Sequence, residues 1–219
     1  MATMSLREMN LRVFRGEAIP HVLFQPRIEP WYEWHRIFNH LGRYQRLSMP
    51  GFFDDLGVSM RYVHYYTGMP DPVQRTLSPE VWVRERTLPD GDRLRVYETP
   101  YGELTERFRA TVDETWREVE FPVKQPADLQ KLRWLLDHTT YTFSSEAFQR
   151  GSDYVGERGE PQFWVPKSPY QALAQQYMKL QDLVYALADC PGEVELTMEA
   201  IDRAEALWLA AEARLEEAA

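Results

Sequence analysis

The sequence predicts an α/β fold that carries an antiparallel ribbon of strands. Short apolar runs alternate with segments whose apolar residues recur about every 3.6 positions, a pattern typical of strands separated by helices. Between residues 82 and 121 the pattern changes to pairs of arginines two positions apart, as in strands with one wet face. The chain of 219 residues has the length of one domain, so we expect a single domain over 1–219.

Composition and charge narrow the functional classes. The chain has 34 acidic and 25 basic residues and a net charge of -9, which argues against a nucleic-acid-binding protein because phosphate contacts need a basic face. The single cysteine, Cys190, excludes a disulfide framework and favours the reducing cytoplasm. No continuous apolar stretch has the length of a signal peptide or a membrane-spanning helix, so we expect no membrane partner.

The first part of the chain divides into helices and short strands. Gly16, Gly42 and Gly57 are typical of helix ends, and Pro30 is typical of a first helical turn. The predicted order is a helix over 5–16, a buried strand over 19–24, a helix over 29–41, a short helix over 50–57 and an aromatic-rich strand over 59–66.

The ribbon and most of the helices lie in the second part of the chain. Turn signals at 89–92 and 99–102 predict three or four antiparallel strands within 82–121. From residue 189 onward there are nine acidic and two basic residues, a net charge of -7, which indicates a solvated helix face. The remaining predicted elements are a helix from 126, a buried strand over 162–165, helices over 168–178 and 180–188, and an acidic last helix over 193–217.

Sequence motifs argue against several chemistries. The five histidines and one cysteine form none of the spacings that hold zinc, so we expect no metal bound by this chain alone. The glycine-rich nucleotide-binding motifs and the nucleophile elbow of serine hydrolases are also missing. Dinucleotide binding, phosphoryl transfer and serine hydrolysis are therefore disfavoured.

Five residues are candidates for a functional site. Asp54 and Asp55 have apolar neighbours, which suits an acid of raised pKa or a cation site, and a surface pair at a helix end is the alternative. Arg27 follows the first predicted strand, where an arginine is suited to binding a carboxylate or phosphate; its alternative is a surface salt bridge. Tyr170 and Tyr177 either point into a pocket or belong to the core.

Five stretches of the chain keep the order and spacing of a known enzyme superfamily. They cover residues 11–20, 53–62, 97–105, 120–129 and 165–173. Over these stretches the chain resembles the N-terminal part of the uroporphyrinogen decarboxylase superfamily, and more closely the branch related to corrinoid-dependent methyltransferases. The resemblance implies a TIM (β/α)8 barrel, of which this chain would form the N-terminal half with the ribbon 82–121 as an insertion.

The same resemblance implies roles for the candidate residues. Asp55 matches the aspartate that holds pyrrole nitrogens in the decarboxylases, and Asp54 precedes it. Arg27 is what remains of an arginine-rich loop that binds substrate carboxylates. Tyr177 matches a family tyrosine better than Tyr170 does. Asp55 and Tyr177 would thus be catalytic, and Arg27, Asp54 and Tyr170 would bind substrate.

The first function that the resemblance implies is methyl transfer involving a corrinoid or a methylated small molecule. This chain would hold no cofactor alone, whereas a complete enzyme would use a corrinoid and zinc. The alternatives are cofactor-free decarboxylation of a porphyrinogen and a non-catalytic half-barrel that acts by oligomerisation. Expected partners are a small-molecule substrate or a corrinoid protein, together with a second copy of the chain or a complementary C-terminal half.

Overall fold

The computed structural model describes residues 4–64, 66–112, 115–162 and 164–213. Residues 65, 113–114, 163 and 214–217 of the predicted elements lie outside the described part. The helices are α1 (Leu6–Phe14), α2 (Glu29–Ile37), α3 (Met49–Leu56), α4 (Ala127–Asp137), α5 (Ser145–Val155), α6 (Pro169–Ala172), α7 (Leu180–Asp189) and α8 (Pro191–Glu212). No helix in these ranges is both long and apolar enough to span a bilayer.

The strands form two antiparallel sheets. They are β1 (Val73–Leu77), β2 (Trp82–Thr87), β3 (Arg93–Thr99), β4 (Gly102–Ala110), β5 (Trp116–Glu120) and β6 (Thr139–Phe143). β1 pairs with β6, and the other four pair in the order β2-β3-β4-β5. These four strands lie within the stretch where the sequence predicts a ribbon, and Gly91 turns the chain between β2 and β3 with a positive φ of 87°.

The chain divides into two compact units. The first consists of Met1–Pro72 and Ser144–Trp164, and the second of Val73–Phe143 and Val165–Ala219. All six strands therefore belong to the second unit. The first unit contains helices and extended segments.

The first unit is built around α3. Ser48 caps this helix by accepting a hydrogen bond from the Gly51 amide, and Gly57 ends it in the left-handed conformation. Phe52 and Phe53 of α3 are buried, and Met60 packs in the same core. Apolar residues from α2 and α5 complete this core, so the helices cover the extended segments that follow α3.

The second unit places its core between the four-stranded sheet and the helices. Leu104 of β4 and Leu132 of α4 are almost completely buried in this core, as is Ile201 of α8. The long helix α8 packs against both α4 and β6. One face of the sheet is thus covered where β3 and β4 meet α4, and β2 is exposed along its whole length.

The prediction that this chain forms half of a TIM barrel is wrong. The described strands form only antiparallel sheets. Barrel strands were expected at 19–24, 59–66 and 162–165. The described parts of these segments contact each other only through isolated hydrogen bonds and one parallel bridge from Tyr62 to Gln162. Prolines within and beside these segments lack the N–H group that a continuous ladder needs. The first segment is also not buried, because Val22 is 88% exposed.

Candidate functional site

Extended segments of the first unit bring two arginines and two aromatic rings together. Arg27 lies over the ring of Trp164, with 5.1 Å between its Cζ atom and the ring centroid. Trp164 stacks on Tyr62 with 4.8 Å between the centroids, and Arg61 lies over the Tyr62 ring at 4.7 Å. Stacking orients a guanidinium group without using its N–H donors. We call these four residues the arginine–aromatic cluster.

Backbone hydrogen bonds between the extended segments position this cluster. The Ser59 amide donates to the Phe24 carbonyl at 2.9 Å, and the Gln162 amide donates to the Arg61 carbonyl at 2.7 Å. Each residue of the cluster either takes part in one of these two hydrogen bonds or lies within three positions of a residue that does. The cluster therefore forms where three separate parts of the chain run side by side.

Gly159 allows the closest approach of two of these segments. The Met60 amide donates to the Arg158 carbonyl at 3.0 Å, directly beside Gly159. A Cβ atom on Gly159 would lie only 1.7 Å from the carbonyl oxygen of Met60. Any larger residue would push these segments apart, because a backbone atom cannot move away as a flexible side chain can.

Glu29 is the buried acid next to the cluster. It begins α2, is completely inaccessible to solvent, and has no hydrogen-bond partner for either carboxylate oxygen among the described residues. Burial raises the pKa of the Glu29 carboxyl above 4.5. Four groups lower this pKa in part: the backbone amide of Glu29, the guanidinium groups of Arg61 and Arg27, and the backbone amide of Ile28. Buried acids without partners are uncommon and are typical of functional sites.

Two further buried nitrogen atoms of this unit lack partners. They are Nε of Arg61 and Nδ1 of His64, again among the described residues. The other ring nitrogen of His64 lies 3.9 Å from a carboxylate oxygen of Asp71. The segment 61–64 thus contributes two buried nitrogen atoms without a hydrogen-bond partner among the described residues, in the same unit as Glu29.

A neighbouring polar network is, in contrast, satisfied. The Asn10 amide donates to Oγ of the buried Ser59 at 2.9 Å, and Gln25 donates to Oδ1 of Asn10 at 2.8 Å. Gln25 also donates to Oγ of Ser59 at 3.1 Å. These bonds tie α1 to the first two extended segments. The side chains of Asn10, Gln25 and Ser59 are therefore paired with one another, whereas neither carboxylate oxygen of Glu29 has a hydrogen-bond partner among the described residues.

The predicted acidic pair is engaged in ion pairs. Both oxygens of Asp54 accept hydrogen bonds from Arg158, at 2.8 and 2.7 Å. Asp55 lies 3.5 Å from Arg43. Both carboxylates are well exposed, so the structure places them at the surface end of α3, as the alternative interpretation of the sequence expects.

The two predicted tyrosines belong to the second unit, whereas Arg27, Asp54 and Asp55 belong to the first. Tyr170 lies in the short helix α6 and is 46% exposed. Tyr177 ends a π-helical turn and packs against the core. Burial, followed by the nearby Tyr141, raises the pKa of Tyr177 to about 12, so its hydroxyl stays protonated at neutral pH.

Glu118 is a carboxyl of the second unit whose pKa is strongly raised. Glu118 of β5 has a buried Oε1 without a hydrogen-bond partner among the described residues. Burial, followed by the neighbouring Glu106, raises its pKa to about 7, while Arg95 and Lys124 act in the opposite direction. Glu106 itself accepts hydrogen bonds from Arg95 and from the Tyr97 hydroxyl, both at 2.8 Å.

Sequence reasoning identified Arg27 and missed Glu29, Arg61 and Glu118. A glutamate in a first helical turn is common because it complements the helix dipole, so the sequence around Glu29 gives no signal of burial. Arg61 and Trp164 are brought to Arg27 only by contacts distant in sequence. Comparison with models of protein families, with curated proteins and with solved structures found no match. The superfamily resemblance therefore stays a prediction.

Proposed function

We propose that the protein binds a carboxylate-bearing small molecule at the arginine–aromatic cluster and that Glu29 exchanges a proton with it. The observation that carries this proposal is the complete burial of Glu29 near Arg61 and Arg27, with no hydrogen-bond partner for either carboxylate oxygen among the described residues. Arg27, expected from the sequence to bind a carboxylate, lies in the same cluster. The proposal thus combines a sequence expectation with an acid that only the structure reveals.

The electrostatics of the cluster support both parts of this function. Arginine binds carboxylates through parallel N–H donors, and the buried Nε of Arg61 is a donor without an acceptor among the described residues. Burial favours the protonated form of Glu29, and an acid whose pKa lies nearer to the working pH is a better proton donor. Arginine binding and proton transfer would therefore act on one bound molecule.

Of the two predicted reactions, methyl transfer and decarboxylation, such a site would directly suit decarboxylation. An arginine would hold the substrate carboxylate, and the C–CO₂ bond would break with its electron pair left on the substrate carbon. The proton of Glu29 would then form the new C–H bond, which leaves Glu29 ionised near the guanidinium groups of Arg61 and Arg27. Proton transfer from a positioned acid is typically worth ~10²–10⁴ in rate.

Methyl transfer, the first function implied by the resemblance, stays a prediction. It would involve a corrinoid and zinc in a complete enzyme. The described residues bring no group of three or more His, Cys, Asp or Glu side chains together that could hold a metal ion. We therefore derive no step through a metal. A corrinoid-protein partner, a second copy of the chain and a cytoplasmic location are also predictions.

Binding of uroporphyrin, a flat carboxylate-rich probe, tests the proposed site. We would follow quenching of its fluorescence by the wild-type chain and by Arg27→Gln and Arg61→Gln, with Arg46→Gln as a matched control. Arg46 is exposed and belongs to the same unit. We expect each cluster variant to weaken binding by about tenfold or more, which corresponds to ~1.4 kcal/mol, and the control to bind as the wild type does.

Two results would contradict the proposal. One is equal binding by Arg27→Gln and Arg46→Gln. The other is no binding by the wild type of either uroporphyrin or succinate, a small dicarboxylate. Hydroxocobalamin serves as a separate probe, and its binding without that of the two carboxylates would favour the methyl-transfer prediction over the proposed site.

A further inference from the structure

β5 is an edge strand of the four-stranded sheet, and its pairing is the least regular in that sheet. It pairs only with β4, through four residue pairs that a register shift at Arg107/Phe108 interrupts. β2, the other edge strand, pairs with β3 over six consecutive residues without a shift. A short, interrupted ladder at an edge opens more easily than a long, regular one. β5 is therefore the strand of this sheet that separates most easily.

Glu118 of β5 lies on the same face of the sheet as Glu106 of β4. The register places Glu118 directly opposite Phe108, and Glu106 is two positions before Phe108, so the two glutamates are diagonal neighbours. Oε1 of Glu118 is buried and has no hydrogen-bond partner among the described residues. One oxygen of Glu118 is thus buried close to a second carboxyl.

The two cations that act on Glu118 are bonded to other groups. Arg95 of β3 donates to Glu106 at 2.8 Å. Lys124, which follows β5, donates to the carbonyl oxygen of Thr105 at 2.5 Å and to its hydroxyl oxygen at 2.8 Å. Neither cation forms an ion pair with Glu118 in the described part of the chain. A negative charge on Glu118 therefore lacks a direct partner that would offset its burial.

The elements around Glu118 carry several charged or titratable side chains. Among the described residues, those that share this face or border it are Glu85 of β2, Arg93, Arg95 and Tyr97 of β3, Glu106 of β4, Lys124 after β5, and Asp128 and Lys131 of α4. Burial, followed by Glu106, raises the pKa of Glu118 to about 7, while Arg95 and Lys124 act in the opposite direction. Glu118 therefore changes its charge near neutral pH.

We propose that loss of the Glu118 proton releases β5 from β4, so that this edge strand separates reversibly from the sheet as the pH rises through neutrality. In the separated strand Glu118 is exposed to water and lies farther from Glu106, and both changes favour the ionised form. Separation also leaves the N–H and C=O groups along this edge of β4 free to pair with another strand. This device lies in the second unit and is independent of the arginine–aromatic cluster.

Hydrogen exchange of the β5 backbone amides, measured by NMR at about pH 6 and about pH 8, tests this proposal. Each rate is divided by that of an unstructured peptide at the same pH, which gives the fraction of molecules with β5 open. The pKa of Glu118 is about 7 in the paired strand, against an ordinary value of 4.5 expected in the open strand. The contribution of Glu118 to pairing is thus greatest below pH 4.5 and falls as the pH rises through about 7, so the open fraction should rise about tenfold.

Three variants assign the effect to one residue. Glu118→Gln nearly preserves the shape of the side chain and removes its charge, so the rise in the open fraction should disappear. Glu120→Gln, in the same strand, is the matched control and should keep the rise because Glu118 is still present. Glu29→Gln should also keep it, since Glu29 belongs to the other unit, and this separates the test from that of the proposed function.

The amides of β3 provide an internal reference and should show no such rise. An equal rise at β3 and β5 would overturn the proposal, because the whole sheet would then open together. An open fraction of β5 that does not change between the two pH values would overturn it as well. These two comparisons use the wild type alone, so they decide the matter even if Glu118→Gln does not fold. A rise that persists in a folded Glu118→Gln would also contradict the proposal.

Discussion

The two units of this chain differ in where their polar and charged side chains lie and in how these side chains are paired. The first unit buries a hydrogen-bonded network around Ser59 and also Glu29, whose carboxylate oxygens have no hydrogen-bond partner among the described residues. The second unit contains a regular antiparallel sheet on whose faces arginines and carboxylates lie side by side. Regular ladders satisfy the backbone and leave side chains to pair at the surface, whereas irregular extended segments bring side chains from distant parts of the chain into the interior.

This contrast explains where the candidate sites lie. In the second unit, the perturbed Glu118 lies beside the register shift, where the ladder is interrupted. In the first unit, the extended segments contact each other through isolated backbone hydrogen bonds and one bridge rather than a regular ladder. The arginine–aromatic cluster lies where these segments meet, and Glu29 is near its arginines. The arginine–aromatic cluster and the perturbed Glu118 thus both lie at irregular backbone, which is common at binding sites.

Substitution of Gly159 should have the largest effect, in the first unit. Gly159→Ala would place a Cβ atom against the Met60 carbonyl, so the extended segments must separate and their hydrogen bonds weaken. We expect a loss of ~3 kcal/mol or more in the free energy of unfolding, measured by urea denaturation.

The control for this experiment is Gly192→Ala, at the start of α8, where a Cβ atom would have no neighbour within 4 Å. This change should be neutral or slightly stabilising because alanine favours the helix. Similar stability of the two variants would mean that the segments do not approach as closely as described.

A cavity in the regular unit should have the next largest effect. Leu132→Ala removes a side chain that is 1% exposed in the core between α4, α8 and the sheet. We expect a loss of ~2–5 kcal/mol in the free energy of unfolding. Leu207→Ala, on an exposed position of α8, serves as the control and should cost well under ~1 kcal/mol.

Removal of the Glu29 charge should stabilise the first unit. Burial raises the pKa of Glu29 above 4.5, so the folded state binds this proton more tightly than the unfolded state does. The contribution of Glu29 to stability is therefore greatest below pH 4.5 and falls as the pH rises through the folded pKa. At neutral pH we expect Glu29→Gln to raise the free energy of unfolding by ~1–2 kcal/mol.

The difference between Glu29→Gln and the wild type should shrink as the pH falls toward 4.5. Glu157→Gln, at an exposed position of the same unit, provides the control and should show no such trend. A destabilised Glu29→Gln at neutral pH would indicate that Glu29 has a stabilising partner and would contradict its assignment as an unpaired acid.

The smallest effect is expected on the exposed face of the sheet. Arg84→Ala breaks contacts with Glu98 and Glu103, but all three side chains are about half exposed. Solvent screens such pairs, so we expect a change of ~0.5 kcal/mol or less in the free energy of unfolding. A loss comparable to that of Leu132→Ala would show that this ion-pair network contributes far more than surface pairs normally do.

Much of the helical structure was predictable from the sequence, and the pairing of the extended segments was not. Prolines and glycines marked α2 and α3 to within a few residues, and turn residues marked the strand order of the ribbon. Helix α5 and the strands β1 and β6 were missed. The segments taken for parallel barrel strands have the right composition, but composition does not specify which segments pair or in which direction.

The sequence by itself determined the helix ends, the antiparallel ribbon and the candidate arginine, because these depend on residues close together along the chain. Only the tertiary structure decided that Arg27 and Arg61 lie over the stacked rings of Trp164 and Tyr62. It also decided that Asp54 and Asp55 form surface ion pairs and that Glu29 is buried with no hydrogen-bond partner among the described residues. Burial and the electrostatic environment of a charge depend on contacts between residues far apart in sequence, and no local sequence pattern indicates such contacts.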